Sequence, residues 1–163
     1  MFHTIEKNNF KFYVFQEPNN SNFTNFINIV EKYNIKNLYT CIKLEKLEFM
    51  KKKMPNTQIH DLIFEDGGVP SSEISNKWIS QLKYLELSSK KNHDDNQNIN
   101  IGVICRSGLG RSPLLVCLAL IIFFKLDPTE SLLMVRNKIR GALNTKQIEY
   151  IYKIKKSTEC NIL

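Results

Sequence analysis

The chain has 163 residues, 42% of them hydrophobic, and carries 23 Lys and Arg against 16 Asp and Glu, a formal net charge of +7. This length builds one domain with a full core, and the sequence holds no internal repeat and no second domain. The positive balance favours phosphorylated substrates or anionic lipid as partners, whereas basic residues this scattered, with no DNA- or RNA-binding motif, argue against nucleic acid.

Along the chain, Phe10 to Phe15 reads as a strand, Asn22 to Tyr33 as a helix with Phe23, Phe26, Ile27 and Val30 on one face, and Asn37 to Cys41 as a second strand. Lys43 to Lys53 reads as a short charged helix and Thr57 to Leu62 as a strand. Ser72 to Leu87 is a helix with a buried stripe of Ile74, Trp78, Leu82 and Leu85. Ser88 to Asn98 is a polar insert with almost nothing to bury, expected as a mobile surface loop. After an apolar strand from Ile99 to Ile104 the pattern turns helical: Pro113 to Lys125, Pro128 to Lys138, and Thr145 to about Lys156. Asp127-Pro128-Thr129-Glu130 is a helix start, with an N-cap, a proline at the first position and an acid at the third. Strands alternating with helices predict an α/β fold, a mostly parallel central sheet flanked by helices on both faces, with ligands at the carboxyl ends of the strands. Residues 1–156 are read as this single catalytic domain and 157–163 as a C-terminal tail.

The first residues, Met1-Phe-His-Thr-Ile-Glu6, lack the charged and apolar regions of a signal peptide, and Leu114 to Phe124 is too short to span a bilayer. Synthesis in the cytosol is expected. Cys41, Cys105, Cys117 and Cys160 have no metal-ligand spacing and read as reduced thiols with separate roles.

Cys105-Arg106-Ser107-Gly108-Leu109-Gly110-Arg111-Ser112 carries the chemistry, because it joins the end of an apolar strand to the start of an apolar helix. Two glycines let such a loop curl until its backbone N–H groups converge at the helix N-terminus, where a phosphate binds. The same partial charge favours a Cys105 thiolate, lowering the pKa from the usual value of about 8.5 and arming the sulfur to attack phosphorus. Arg111 is placed to grip two phosphate oxygens bidentately. With phosphate neutralised by Arg111 and the loop backbone, neither a metal nor another cofactor is expected. Ser112 is either the N-cap before Pro113 or a hydroxyl that hydrogen-bonds the Cys105 sulfur.

This loop resembles the signature of cysteine-dependent tyrosine phosphatases of dual-specificity size. Phe64-Glu65-Asp66-Gly67, Ile139-Arg-Gly-Ala-Leu-Asn-Thr-Lys-Gln147 and the terminal Cys160-Asn-Ile-Leu163 narrow the resemblance to the phosphatases of regenerating liver, the type IVA tyrosine phosphatases, from about Phe12 onward. The resemblance implies Cys105 as nucleophile, Arg111 as phosphate-binding arginine, residues 106–110 as substrate-binding backbone, and Asp66 as the general acid. Glu65 competes with Asp66, which register favours; Gly67-Gly68 suits a mobile lid. Gln147 either orients the hydrolytic water or closes a capping box with Asn144. Cys41 either forms the reversible disulfide with Cys105 that the family uses against oxidation or fills the core, and Cys117 reads as core.

Three departures from the family pattern stand out. Ile104 replaces a histidine before the nucleophile, which implies lower reactivity of Cys105, and Leu62-Ile63 replaces the Trp-Pro that leads into the acid loop. Ser112 replaces alanine and implies faster breakdown of a phosphocysteine. Arg106 is an extra loop cation, either a contact for polyanionic substrates such as phosphoinositides or an outward, solvated side chain.

Cys160-Asn161-Ile162-Leu163 matches a prenylation box, geranylgeranyl being favoured over farnesyl by the terminal Leu. Lys153, Lys155 and Lys156 would add attraction to anionic lipid, so attachment to the cytosolic face of the plasma or endosomal membrane is expected. The leading expectation is a prenylated, redox-regulated phosphatase acting on phosphorylated proteins through a phosphocysteine. The alternatives are a phosphoinositide phosphatase and a weakly catalytic module that docks cyclin-M magnesium transporters, as family members do.

Overall fold

The computed structural model describes residues 2–91 and 98–160, with side chains as far as Ile154. Among these residues five strands form one sheet in the order β1-β2-β5-β3-β4. They are β1 (Phe2–Lys7), β2 (Phe10–Gln16), β3 (Asn37–Thr40), β4 (Gln58–Asp61) and β5 (Ile99–Cys105). β2, β5, β3 and β4 run parallel, as their alternation with helices requires, and only β1 pairs antiparallel.

β1 is absent from the sequence-based expectation for a physical reason. Its only fully buried residue is Ile5, so an edge strand of mostly half-buried side chains shows no alternation to read. It joins β2 through Asn8 and Asn9, where Asn8 takes φ 53°, a left-handed value asparagine tolerates.

Period-two alternation splits the core into two layers. Ile104 of β5 and Leu38 of β3 face α1 (Phe23–Lys32) and α2 (Leu47–Lys53), where Phe26, Val30 and Met50 cover them. Ile101, Val103 and Cys105 of β5 and Tyr39 of β3 face α3 (Ser72–Lys91), α4 (Arg111–Leu118), α5 (Pro128–Lys138) and α6 (Thr145–Cys160). Trp78 of α3 is fully buried there and donates its indole N–H to the Leu115 carbonyl at 2.8 Å.

Besides β1, four elements differ from expectation, one of them α6, which runs on to Cys160 through the first residues expected as a tail. α2 begins at Leu47 rather than Lys43, because Thr40 Oγ1 bonds both the N–H and the carbonyl of Ile42 and turns the chain, burying Ile42 and Leu44. α3 runs on to Lys91, so Ser88 to Lys91 are helical; of the insert expected as a loop, residues 92–97 lie outside the described residues. The helix expected from Pro113 to Lys125 is α4 followed by a π-helical turn, Ala119–Phe123. That wider turn lets both Phe123 and Phe124 pack edge-on against Phe10, each at 5.4 Å between ring centroids. All eight residues of α4 are buried, which explains a run with no polar face. Asp127 caps α5 as expected, accepting from the Thr129 N–H at 2.8 Å. No helix among the described residues is long and apolar enough to cross a membrane.

Candidate active site

β5 delivers Cys105 to the carboxyl edge of the sheet, the crevice where parallel α/β sheets bind ligands. The chain then turns through residues 106–110 into α4. Gly108 makes the turn possible with φ 74°, and a Cβ there would stand 3.4 Å from the Gln16 nitrogen. Within the loop the Leu109 N–H donates to Ser107 Oγ at 3.3 Å. Among the described residues, the N–H groups of Arg106, Ser107, Gly108 and Gly110 have no acceptor. Backbone donors concentrated at a helix N-terminus constitute an anion nest.

α4 starts at Arg111 with Gly110 as its N-cap, so Ser112 lies inside the first turn and is not the cap. Its hydroxyl is fully buried and makes no hydrogen bond of good geometry, to Cys105 or to any other group. It lies against the Cys41 thiol instead, where it favours the thiolate of that residue.

Arg111 is buried, and its guanidinium holds the loop after β4. Nη1 donates to the Phe64 carbonyl at 3.1 Å, and Nη2 sits 3.0 Å from Asp66 Oδ1. Asp66 is largely exposed and also accepts from the Gly67 N–H at 3.1 Å. Asp66, not Glu65, is therefore the acid paired with Arg111 at the mouth of the nest. Gly67 takes φ 65°, and the Gly68 N–H closes the turn on the Glu65 carbonyl at 3.0 Å. Leu62 is fully buried while Ile63 is exposed, so the departure from Trp-Pro leaves one anchor and one free apolar side chain.

Gln147 is fully buried and closes the capping box with Asn144: its Oε1 accepts from the Asn144 N–H at 3.1 Å, and its own N–H donates to Asn144 Oδ1 at 2.9 Å. Each side chain has a second bond, Asn144 Nδ2 to the Gly67 carbonyl and Gln147 Nε2 to the Gly68 carbonyl, both at 3.0 Å. Arg136 of α5, absent from the expected site residues, donates to the carbonyls of Ala142 at 2.9 Å and Leu143 at 3.2 Å. A surface arginine on an amphipathic helix carries no signal of such a role.

Cys41 follows β3 directly. The parallel register Thr40 to Ile104 continues to Cys41 beside Cys105, on the same face, with the Cys41 N–H bonded to the Ile104 carbonyl at 2.8 Å. Both thiols are free. Burial and the neighbouring Cys105 raise the pKa of Cys41 strongly, against smaller lowering contributions from Ser112 and Arg111. Burial pushes Cys117 up to about 12, as befits a core thiol.

Arg106 turns away from the nest. Its Nη1 pairs with Glu17 Oε2 at 2.5 Å, and the pair lines a cavity of about 230 Å³ with Leu44, Lys46 and Met50. The side chains of Lys155, Lys156 and Cys160, and residues 161–163, lie outside the described residues; Lys153 is exposed.

No family model matches the chain. It is 36% identical over 162 residues to the probable protein tyrosine phosphatase type IVA A of Dictyostelium discoideum, covering 98% of this chain and 92% of that protein. It is 30% identical over 153 residues to the PRL-1 phosphatase of Drosophila melanogaster, covering 93% and 81%. Among solved structures, a protein tyrosine phosphatase from Leishmania major superposes with a TM-score of 0.81 at 26% identity, covering 94% of this chain and 98% of that one. PTPMT1 shares the fold at 19% identity, with a TM-score of 0.73 over 99% and 98% of the two chains. A thiol, a buried arginine and an acid gathered around a backbone nest, in a chain this similar to phosphatases along its whole length, place it in the type IVA family of protein tyrosine phosphatases.

Proposed function

We propose that the chain hydrolyses phosphomonoesters of phosphorylated proteins through a phosphocysteine on Cys105. The observation that carries this reading is the Asp66–Arg111 pair, which brings an acid to the mouth of an anion nest whose base is the Cys105 thiol. Arg111 and the N–H groups of residues 106–110 hold the non-bridging oxygens, and they stabilise the charge that builds there in the transition state. The Cys105 sulfur attacks phosphorus, the ester P–O bond breaks, and Asp66 gives its proton to the departing oxygen. Water then attacks, losing its proton to Asp66. The S–P bond breaks and releases inorganic phosphate and the thiolate. Turnover of an aryl phosphate by wild type, lost in Cys105→Ser and slowed in Asp66→Ala, tests the reading. Absence of turnover by reduced, folded wild type would move the weight to a binding role, which capture of a magnesium-transporter domain tests.

Protein substrates are favoured over phosphoinositides because Arg106, the cation that would recruit a second phosphate, is already paired with Glu17. A PTPMT1 structure in complex with PI(5)P shares the fold alone, at 17% identity. Side-by-side rates on a phosphotyrosine peptide and a phosphoinositide separate the two.

Two further proposals concern control and location. Oxidation of Cys105 to the sulfenic acid, followed by attack of the Cys41 sulfur with loss of water, forms a Cys41–Cys105 disulfide. Neighbouring parallel strands about 4.8 Å apart fall within the Cα separation a disulfide accepts. Loss of 2 Da after mild peroxide, absent in Cys41→Ser, tests it. Cys160 is proposed as a prenyl acceptor that attaches the chain to a cytosolic membrane face with the help of Lys153, Lys155 and Lys156. Metabolic labelling with a geranylgeranyl analogue, lost in Cys160→Ser, tests that.

A further inference from the structure

The segment from Ala142 to Gln147 touches both loops of the site. On one side the Leu143 N–H donates to the Leu109 carbonyl of the phosphate-binding loop at 2.9 Å, and a Cβ on Gly110 would stand 3.4 Å from the Gln147 amide. On the other side Asn144 and Gln147 hold the Gly67 and Gly68 carbonyls. Arg111 holds the opposite arm of the acid loop through the Phe64 carbonyl. The turn that carries Asp66 is thus fixed at both ends, by two different elements.

The segment is itself constrained. Leu143 sits at φ 64°, a left-handed value that a leucine adopts only when its surroundings impose it. The Arg136 guanidinium supplies that constraint by gripping the carbonyls on both sides of the Ala142–Leu143 step. The capping box explains why Asn144 Oδ1 and Gln147 Oε1 point where they do, but it uses only the oxygens. Both amide nitrogens are spent on the acid loop, which helix capping does not require.

We infer that Asn144 and Gln147, held by Arg136, are positioning residues that fix Asp66 over the nest by clasping the acid loop to the phosphate-binding loop. The inference rests on the reading of Asp66 as the general acid. Unclasping then lets the carboxyl wander from the departing oxygen, and the loss is greatest where the leaving group most needs a proton.

Asn144→Asp is the discriminating variant, because aspartate keeps the N-cap acceptor and removes only the Nδ2 donor. Asn144→Ser, also a good cap but too short to reach Gly67, controls for the added charge. Both should lower kcat on an aryl phosphate with a poor leaving group about tenfold, a part of what general acid catalysis supplies. An activated nitrophenyl ester should lose less than about twofold by the same reasoning. In an Asp66→Ala background the effect should vanish. Arg136→Ala should reproduce the pattern more weakly, with Arg136→Lys partly restoring it. Equal losses on both esters, or a loss that persists without Asp66, would overturn the clasp.

Amide hydrogen exchange across residues 64–68 reads the same contacts without turnover, and it should quicken in both Asn144 variants while β5 stays protected. Unchanged exchange overturns the clasp. Quickened exchange in a protein whose wild type turns over neither ester retains the clasp and sinks the general-acid reading alone.

Discussion

Asp66 and Arg111 meet across the mouth of the backbone nest, Oδ1 3.0 Å from Nη2, although the carboxylate is exposed and the guanidinium almost wholly buried. The pair closes the acid loop over the site before any anion is bound, and an incoming phosphate dianion competes with Asp66 for the same guanidinium. Removing the carboxylate therefore has two opposed effects. Asp66→Ala should lower kcat on an aryl phosphate by about 10²-fold or more, the usual share of general acid catalysis, while tungstate binds at least as tightly as to wild type. A phosphate-competitive inhibition series on the two proteins measures both.

Arg111→Lys should cost about 10²-fold to 10³-fold in kcat/KM, comparable to losing a donor that stabilises the transition state. Lysine keeps the charge but cannot hold the Phe64 carbonyl and two phosphate oxygens at once. A steady-state comparison at constant ionic strength checks it, and a loss under tenfold would show that charge alone suffices.

The three described thiols should react unequally. Cys41 and Cys117 are buried, and burial pushes Cys41 up and Cys117 up to about 12, so neither supplies thiolate near neutral pH. Cys105 is buried as well, but it alone stands at the start of the loop whose free N–H groups and Arg111 favour a thiolate. Brief iodoacetamide treatment followed by peptide mapping should find Cys105 alkylated before either of the others, and tungstate should protect it.

His60 of β4 should make stability depend on pH. Burial, then the nearby Lys77, holds its pKa below the usual value against a smaller opposing effect of Asp61, and the ring stacks on Tyr39 and bonds Asn37 Oδ1 at 3.0 Å. The fold therefore favours the neutral ring. Its contribution is complete above the unfolded pKa of about 6.5 and is lost as pH falls through the lower folded value. Thermal melts from pH 7.5 to 5 should show Tm falling, and His60→Gln should flatten that part of the fall.

Trp78→Phe should destabilise the fold by about 1–3 kcal/mol, through a lost buried hydrogen bond to Leu115 and a void beside Tyr39 and Phe12. For a chain of this length that is a drop of roughly 2–12 °C in Tm, with turnover at 25 °C little changed. Differential scanning calorimetry reads it directly.

Much of the architecture was legible because local patterns and burial agree. The alternation of apolar strands with amphipathic helices gives the parallel sheet, Asp127-Pro128 marks the start of α5, and the glycines between Cys105 and Arg111 mark the nest. Where burial is partial or complete, the pattern fails: β1 half-buries most of its side chains, and α4 hides all of its own.

The amino-acid sequence by itself determined which groups are available, a thiol, a guanidinium and a carboxylate at fixed points of an α/β chain, because strand and helix periods are local properties. Only the tertiary structure decided which of them meet. It set Asp66 rather than Glu65 on Arg111, turned Arg106 away onto Glu17, put Ser112 inside a helix rather than at its cap, and brought Arg136, Asn144 and Gln147 to the acid loop. Such contacts join residues up to 89 positions apart and are selected by packing and by the need of buried polar groups for partners, which no local pattern encodes.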